Sequence, residues 1–203
     1  PPSEVPAALD ECPADALKAH PFALLVLMRS MFNWRNIPKM LELKALLLAA
    51  LEEHPELPAE ERGNLLGECD LIMSFLCYND ISAMSRLHRS ASAQMSRPAI
   101  SIRSSGGWTF GSPSVLMMFY RAPGELAGEL AEMAECMPHY YKITNGHGQG
   151  AETIMRAEAA FVQGRFTDAH IALESAYAQI EGNGQENMAL CCDFLAKRLS
   201  RYA

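Results

Sequence analysis

Two short stretches hold the residue types that recognition chemistry needs. The first, 96–114, reads SRPAISIRSSGGWTFGSPS and carries Arg103, Trp108 and Phe110 on backbone broken by Pro98, Gly106, Gly107, Gly111 and Pro113. Aromatic rings beside a guanidinium suit a sugar, a peptide or a planar organic ligand, because ring faces stack while the cation meets polar groups. A loop of this length between helices is more often functional than a plain connection. The competing reading is that Trp108 and Phe110 fill a gap between neighbouring helix pairs. The second stretch, 138–150, reads PHYYKITNGHGQG and offers Tyr140, Tyr141, Asn145 and His147 to a groove. Its tail GHGQG looks like a phosphate-cradling loop, but it lacks the GK[ST] ending and a preceding strand. A helix C-cap followed by a turn accounts better for the glycines.

Catalytic sets are not found. Gly111-Ser112-Pro113 is not a nucleophile elbow. His139 and His147 are eight residues apart across a turn, without a third ligand at metal spacing. The acids fall on expected solvent faces, as at Glu60/Glu61 and Glu129/Glu132. With no paired acids and no Ser/His or Cys/His arrangement, the chain is not expected to be an enzyme or to hold a cofactor or metal. The six cysteines contain no C-x-x-C, and the vicinal Cys191–Cys192 pair would bridge itself only under strain. Cys69, Cys77 and Cys192 lie within apolar helical patterns and are expected to be small buried hydrophobes, reduced in a cytoplasmic protein.

The elements that must position these residues are helices. Of the 203 residues 49% are hydrophobic, enough for a substantial core, and the net charge is −7. The 17 Lys and Arg are scattered rather than clustered, so direct nucleic-acid binding is not expected. The longest apolar runs, 22–28 and 45–51, fall far short of the roughly 20 residues a bilayer needs, so no membrane contact is expected. The opening Pro1-Pro2-Ser3 lacks a Met, which suggests a segment of a longer polypeptide, with residues 1–14 flexible or partly ordered. Pro21 opens a nearly all-apolar helix, and Pro38 sits in the first turn of the next, which ends at His54-Pro55. A helix from the acidic start Pro58-Ala59-Glu60-Glu61 should reach Tyr78, with another running from Asn79-Asp80 to about Met95. No stretch alternates long enough to demand a strand.

A period organises these helices. Turns at 35, 79, 121 and 164 are separated by 44, 42 and 43 residues. Residues at offsets 0, +4 and +7 from Met40, Met84, Leu126 and Ala169 lie on one helical face, with Lys44 and His88 among them. An even step of that size predicts an all-α superhelix of antiparallel helix pairs, four to five in number, forming one domain over residues 1–203. In the last pair Ala157, Ala160, Gly164, Phe166, Ala169, Leu173 and Ala176 fall at the small and aromatic positions of a tetratricopeptide unit.

Three runs are more distinctive than helix-repeat consensus: WTFGSPSVL from Trp108, YRAPGEL from Tyr120, and CMPHYYKITNGHG from Cys136. They resemble bacterial LuxR-type transcriptional regulators, similar in plan to the maltose-regulon activator, and the resemblance covers roughly Ala14 onward. It implies an ATPase module before a helical-repeat sensor region, and a helix-turn-helix after it. The chain would be the middle part, receiving a small-molecule inducer or a partner protein and relaying the signal to the rest of its own chain. The phosphate loop and DNA-recognition helix of that family have no counterpart here. The alternative is a tetratricopeptide-like scaffold that binds a protein or peptide and no small molecule.

Overall fold

The computed structural model describes residues 4–108 and 112–202. Its helices are α1 (Glu4–Glu11), α2 (Ala14–Lys18), α3 (Pro21–Asn33), α4 (Ile37–Glu53), α5 (Ala59–Ser74), α6 (Ile81–Gln94), α7 (Val115–Phe119), α8 (Leu126–Ile143), α9 (Ala151–Val162), α10 (Phe166–Gly182) and α11 (Ala189–Leu199). Single 3-10 turns occur at Phe75–Cys77 and Glu186–Met188, and no strand occurs among the described residues. The all-α class is therefore as the periodicity predicts. The stretch 1–14, expected to be flexible or partly ordered, holds α1.

The turns that set the period share a physical device. Arg35 (φ 59°), Asn79 (φ 62°) and Gly164 (φ 74°) are all left-handed, the conformation that ends a helix and turns the chain back. After α3 the Asn36 amide donates to the Met31 carbonyl at 2.8 Å, and after α9 the Arg165 amide donates to Ala160 at 2.9 Å. The following helix then starts on its own cap: Asn36 Oδ1 accepts from the Lys39 amide, and Asp80 Oδ1 from the Ala83 amide at 2.8 Å. The turn near 121 differs, since its left-handed residue is Gly124 (φ 90°). The helix before it, α7, has only five residues. Burial matches the expected face in all four helices only at offset +7, since Met84 and Leu126 at offset 0 and Lys44 and Leu130 at +4 are half-buried. The +7 positions Leu47, Ala91, Met133 and Ala176 are all fully buried.

The chain divides into two compact units, Pro1–Leu76 with Leu87–Ser101, and Cys77–Arg86 with Ile102–Ala203. In the first, α3 packs on α4 and α5, and its core joins Leu24, Leu25, Met28 and Met31 to Met40, Leu43 and Leu47, with Leu65, Cys69 and Ile72. Burying each such side chain contributes about 1.5–3 kcal/mol. Arg62 closes the end of α4 by donating to the Leu51 and His54 carbonyls. In the second unit α9 is central, packed on α7, α8, α10 and α11. Ala157, Ala160, Ala169 and Ala176 are nearly or fully buried, so α9 and α10 approach closely over small residues.

Candidate functional site

The hub of the second unit is the turn 144–150 between α8 and α9. Asn145 takes the left-handed conformation (φ 53°) at the end of α8, and Gly146, Gly148 and Gly150 also have positive φ. His147, only 4% exposed, faces two partners. Its Nε2 lies 2.9 Å from the Gly106 carbonyl oxygen, which only accepts, so Nε2 carries the hydrogen. In the neutral ring Nδ1 then accepts from the Tyr140 hydroxyl at 2.6 Å. Asn187 Nδ2 donates to the same Gly106 carbonyl at 2.6 Å, and Gln185 Oε1 accepts from the Gly148 amide at 2.8 Å. The turn thus ties the irregular segment to α8 and to the approach to α11.

Trp108 is 7% exposed and lies against this turn, its ring 5.8 Å from that of Phe119. A Cβ on Gly148 would come within 2.3 Å of Trp108 Cδ1, so only glycine lets the indole seat there. The structure brings Trp108, Tyr140 and His147 together with their rings turned inward. Tyr141 is half-buried, its ring 6.3 Å from Tyr140 and its hydroxyl bonded to Glu152. Burial and the neighbouring Glu152 charge raise the Tyr141 hydroxyl well above its ordinary pKa. Arg103 and Asn145 are exposed to solvent, and Phe110 lies outside the described residues.

Buried carboxylates hold the ends of the irregular segment, and sequence reasoning missed them. In the first unit Glu68, fully buried on α5, accepts from the Ile100 and Ser101 amides at 3.1 and 2.9 Å and pairs with Arg97 at 2.8 Å. In the second, Glu158 on α9 accepts from the Leu116 amide at 2.7 Å at the start of α7. Burial raises the Glu158 carboxyl above the usual range, although the amides of Leu116 and Val115 and the Ser114 side chain pull it back. Glu129, expected on a solvent face, is 1% exposed and accepts from the Arg121 amide at 2.8 Å, and Glu132 beside it pairs with Arg121. A sequence signal did exist. Each acid sits on an apolar stripe at helical spacing: Leu65, Glu68 and Ile72; Leu126, Glu129 and Met133; Ile154, Glu158 and Phe161.

The first unit also contains a Ser–His contact that no local motif announced. Ser74 Oγ lies 2.9 Å from His88 Nε2, both nearly or fully buried. The Ser74 hydroxyl donates to the Leu71 carbonyl at 2.6 Å, so its proton is engaged by the helix and the contact ties α5 to α6. Among the described residues no group of three His, Cys, Asp or Glu could hold a metal ion, and no helix is long and apolar enough to cross a membrane. Cys69 and Cys192 are buried as expected, whereas Cys77 is half-buried in its 3-10 turn.

Two open grooves lie on the second unit. One, of about 310 Å³ on α9 and α10, has Ala160 and Ala172 in its lining with Arg156, Asp168 and Ile171. The other, of about 400 Å³, runs along α11. Comparison with protein-family models, with curated proteins and with solved structures gives no match to this chain.

Proposed function

We propose that the chain is the signal-receiving, helical-repeat region of a cytoplasmic LuxR-type regulator, built as a tetratricopeptide-like superhelix and not itself DNA-binding. It takes an inducer or a partner protein and relays its occupancy to the rest of its own chain. The observation that carries this reading is the irregular segment 96–114. Its described part before Trp108 is attached to buried Glu68 through the Ser101 amide and to His147 through the Gly106 carbonyl, yet it leaves Arg103 exposed. A loop fixed this way offers a preformed surface at low ordering cost. The left-handed turns at 35, 79 and 164 and the in-phase burial at 47, 91, 133 and 176 support the repeat architecture.

The test is a thermal-shift panel of oligosaccharides and planar aromatic acids. A ligand present at about 100 times its Kd stabilises by ~2.7 kcal/mol, or about 5–10 °C for a chain of this size. Arg103→Ala should abolish that rise while leaving the unliganded midpoint unchanged. If no compound of either class raises the midpoint, the small-molecule form of this reading is refuted.

A second reading, a protein- or peptide-binding scaffold, is favoured by a different observation. Trp108, Tyr140 and His147 are buried, while both grooves of the second unit are open and lined partly by exposed Ile171, Phe194 and Tyr202. Small-molecule sites enclose most of their ligand, and open helix faces suit chain segments.

A further inference from the structure

The outer face of α11 and the residues just after it carry an unusual juxtaposition. Phe194, Lys197 and Arg198 recur at i, i+3 and i+4 on α11, Arg201 and Tyr202 follow just after its end, and together they line the groove of about 400 Å³. All five are exposed, and no carboxylate is in the lining. Among the described residues none of the three cations forms an ion pair. Lys18, Lys39, Arg97, Arg121 and Arg165 have carboxylate partners, but Arg35, Lys44, Arg86 and Lys142 form no ion pair among the described residues either, so what sets this stripe apart is three such cations grouped with Phe194 and Tyr202.

The walls of this groove are braced from beneath. The Arg198 guanidinium lies over the Phe161 ring at 5.2 Å and 5.7 Å from the Phe194 ring. Tyr202 stacks on Phe166 at 4.9 Å with an interplanar angle of 21°, and meets Phe161 edge-on at 5.7 Å. Cations in the last turn of a helix favour its negative end, which accounts for the sign of Lys197 and Arg198. It does not account for Phe194 at 37% and Tyr202 at 62% exposure flanking them.

We propose that this stripe docks an acidic peptide segment of a partner protein, with carboxylates meeting Lys197, Arg198 and Arg201 and an apolar side chain lying against Phe194 and Tyr202. Charge complementarity identifies the occupant: three cations that form no ion pair among the described residues stand together on a chain whose net charge is −7. The lining is an open face that runs from Phe194 on α11 to Arg201 and Tyr202, beyond the helix's last residue Leu199. That is too open to enclose a small molecule, which is typically about 70–90% buried in its site. Nucleic acid is disfavoured, because duplex binders neutralise about 6–10 phosphates and this face supplies three cations on an acidic chain. The inference rests on the partner-binding reading above and does not involve the segment 96–114.

The experiment is a fluorescence-anisotropy titration of the whole 203-residue chain with a fluorescein-labelled peptide alternating Glu pairs with Leu and Phe. Binding should saturate and weaken several-fold between ~50 mM and ~300 mM salt. Lys197→Glu with Arg201→Glu should lower affinity at least about tenfold, because two attractive pairs become repulsive. Tyr202→Ala should lower it about fivefold through lost ring contact. Circular dichroism should be unchanged by these exposed substitutions. If the charge reversal unfolds the chain, Lys197→Gln with Arg201→Gln takes its place, with an expected loss of about threefold. Equal affinity of the wild-type and charge-altered chains overturns the proposal, as does tighter binding of an oligothymidylate than of the peptide. If only a neutral or basic peptide binds, the acidic-segment proposal falls and the partner-binding reading stands. If no peptide of any charge binds, both fall.

Discussion

Gly148→Ala tests the seating of Trp108 most directly. The glycine has φ +72°, and an added Cβ would lie 2.3 Å from Trp108 Cδ1, 2.4 Å from Nε1 and 2.6 Å from Cγ. Holding an alanine left-handed costs about 1–2 kcal/mol. The overlap adds about 1–3 kcal/mol, since ordinary contact is ~3.5–4.0 Å and Trp108 has Phe119 packed against its ring. The total is ~2–5 kcal/mol, or roughly 4–20 °C in the melting midpoint. Gly164→Ala is the internal control: its φ is +74°, but nothing lies within 4 Å of the added Cβ. It should bear only the backbone cost of about 1–2 kcal/mol. Trp108→Ala removes the obstruction and opens a cavity costing about 3–5 kcal/mol. The double variant Trp108→Ala/Gly148→Ala should therefore be about 1–3 kcal/mol less destabilised than the sum of its parts. Urea denaturation followed by circular dichroism measures the four variants against the wild type. Strict additivity, or equal costs at 148 and 164, would refute the account of how the indole is held.

Glu68→Gln should loosen the stretch 97–101, because an uncharged side chain holds the Ile100 and Ser101 amides and Arg97 less strongly; a cost of about 1–3 kcal/mol is expected, and amide exchange at Ser101 reads it. Glu158 has its carboxyl raised by burial, so the folded chain keeps this proton to a higher pH than the unfolded chain does. Its ionisation therefore costs stability progressively as pH rises from the ordinary carboxylate range to the raised value. The difference in urea midpoint, wild type minus Glu158→Gln, should fall across that interval, and a flat difference would contradict it. Burial pushes the Cys69 thiol up to about 11 and those of Cys191 and Cys192 up to about 12. Iodoacetamide on the folded chain should accordingly label half-buried Cys12 and Cys77 first, and labelling of Cys191 before unfolding would refute the burial argument.

The helices were legible because their signals are local. Pro21 and Pro38 fall in the first turns of α3 and α4, and Asn79-Asp80 separates α5 from α6. The turns were legible because those at 35, 79 and 164 each sit on a left-handed residue, and the helix after each buries its +7 position. Buried Glu68, Glu129 and Glu158 were not foreseen. A carboxylate on an apolar stripe becomes tolerable only when backbone amides from elsewhere in the chain come to meet it. The orientation of Trp108 was equally hidden, since an indole suits a ligand face or a gap in packing. What decides it is contact with the backbone of a glycine forty residues away.

The attachments of the irregular segment have one further consequence. Glu68, His147 and Asn187 all grip main-chain atoms, namely the Ile100 and Ser101 amides and the Gly106 carbonyl. The side chains of Arg103, Ser104 and Ser105 take no part in those grips. Sequence drift across these three positions can therefore alter the surface the loop presents without altering how it is moored, at little cost in foldability.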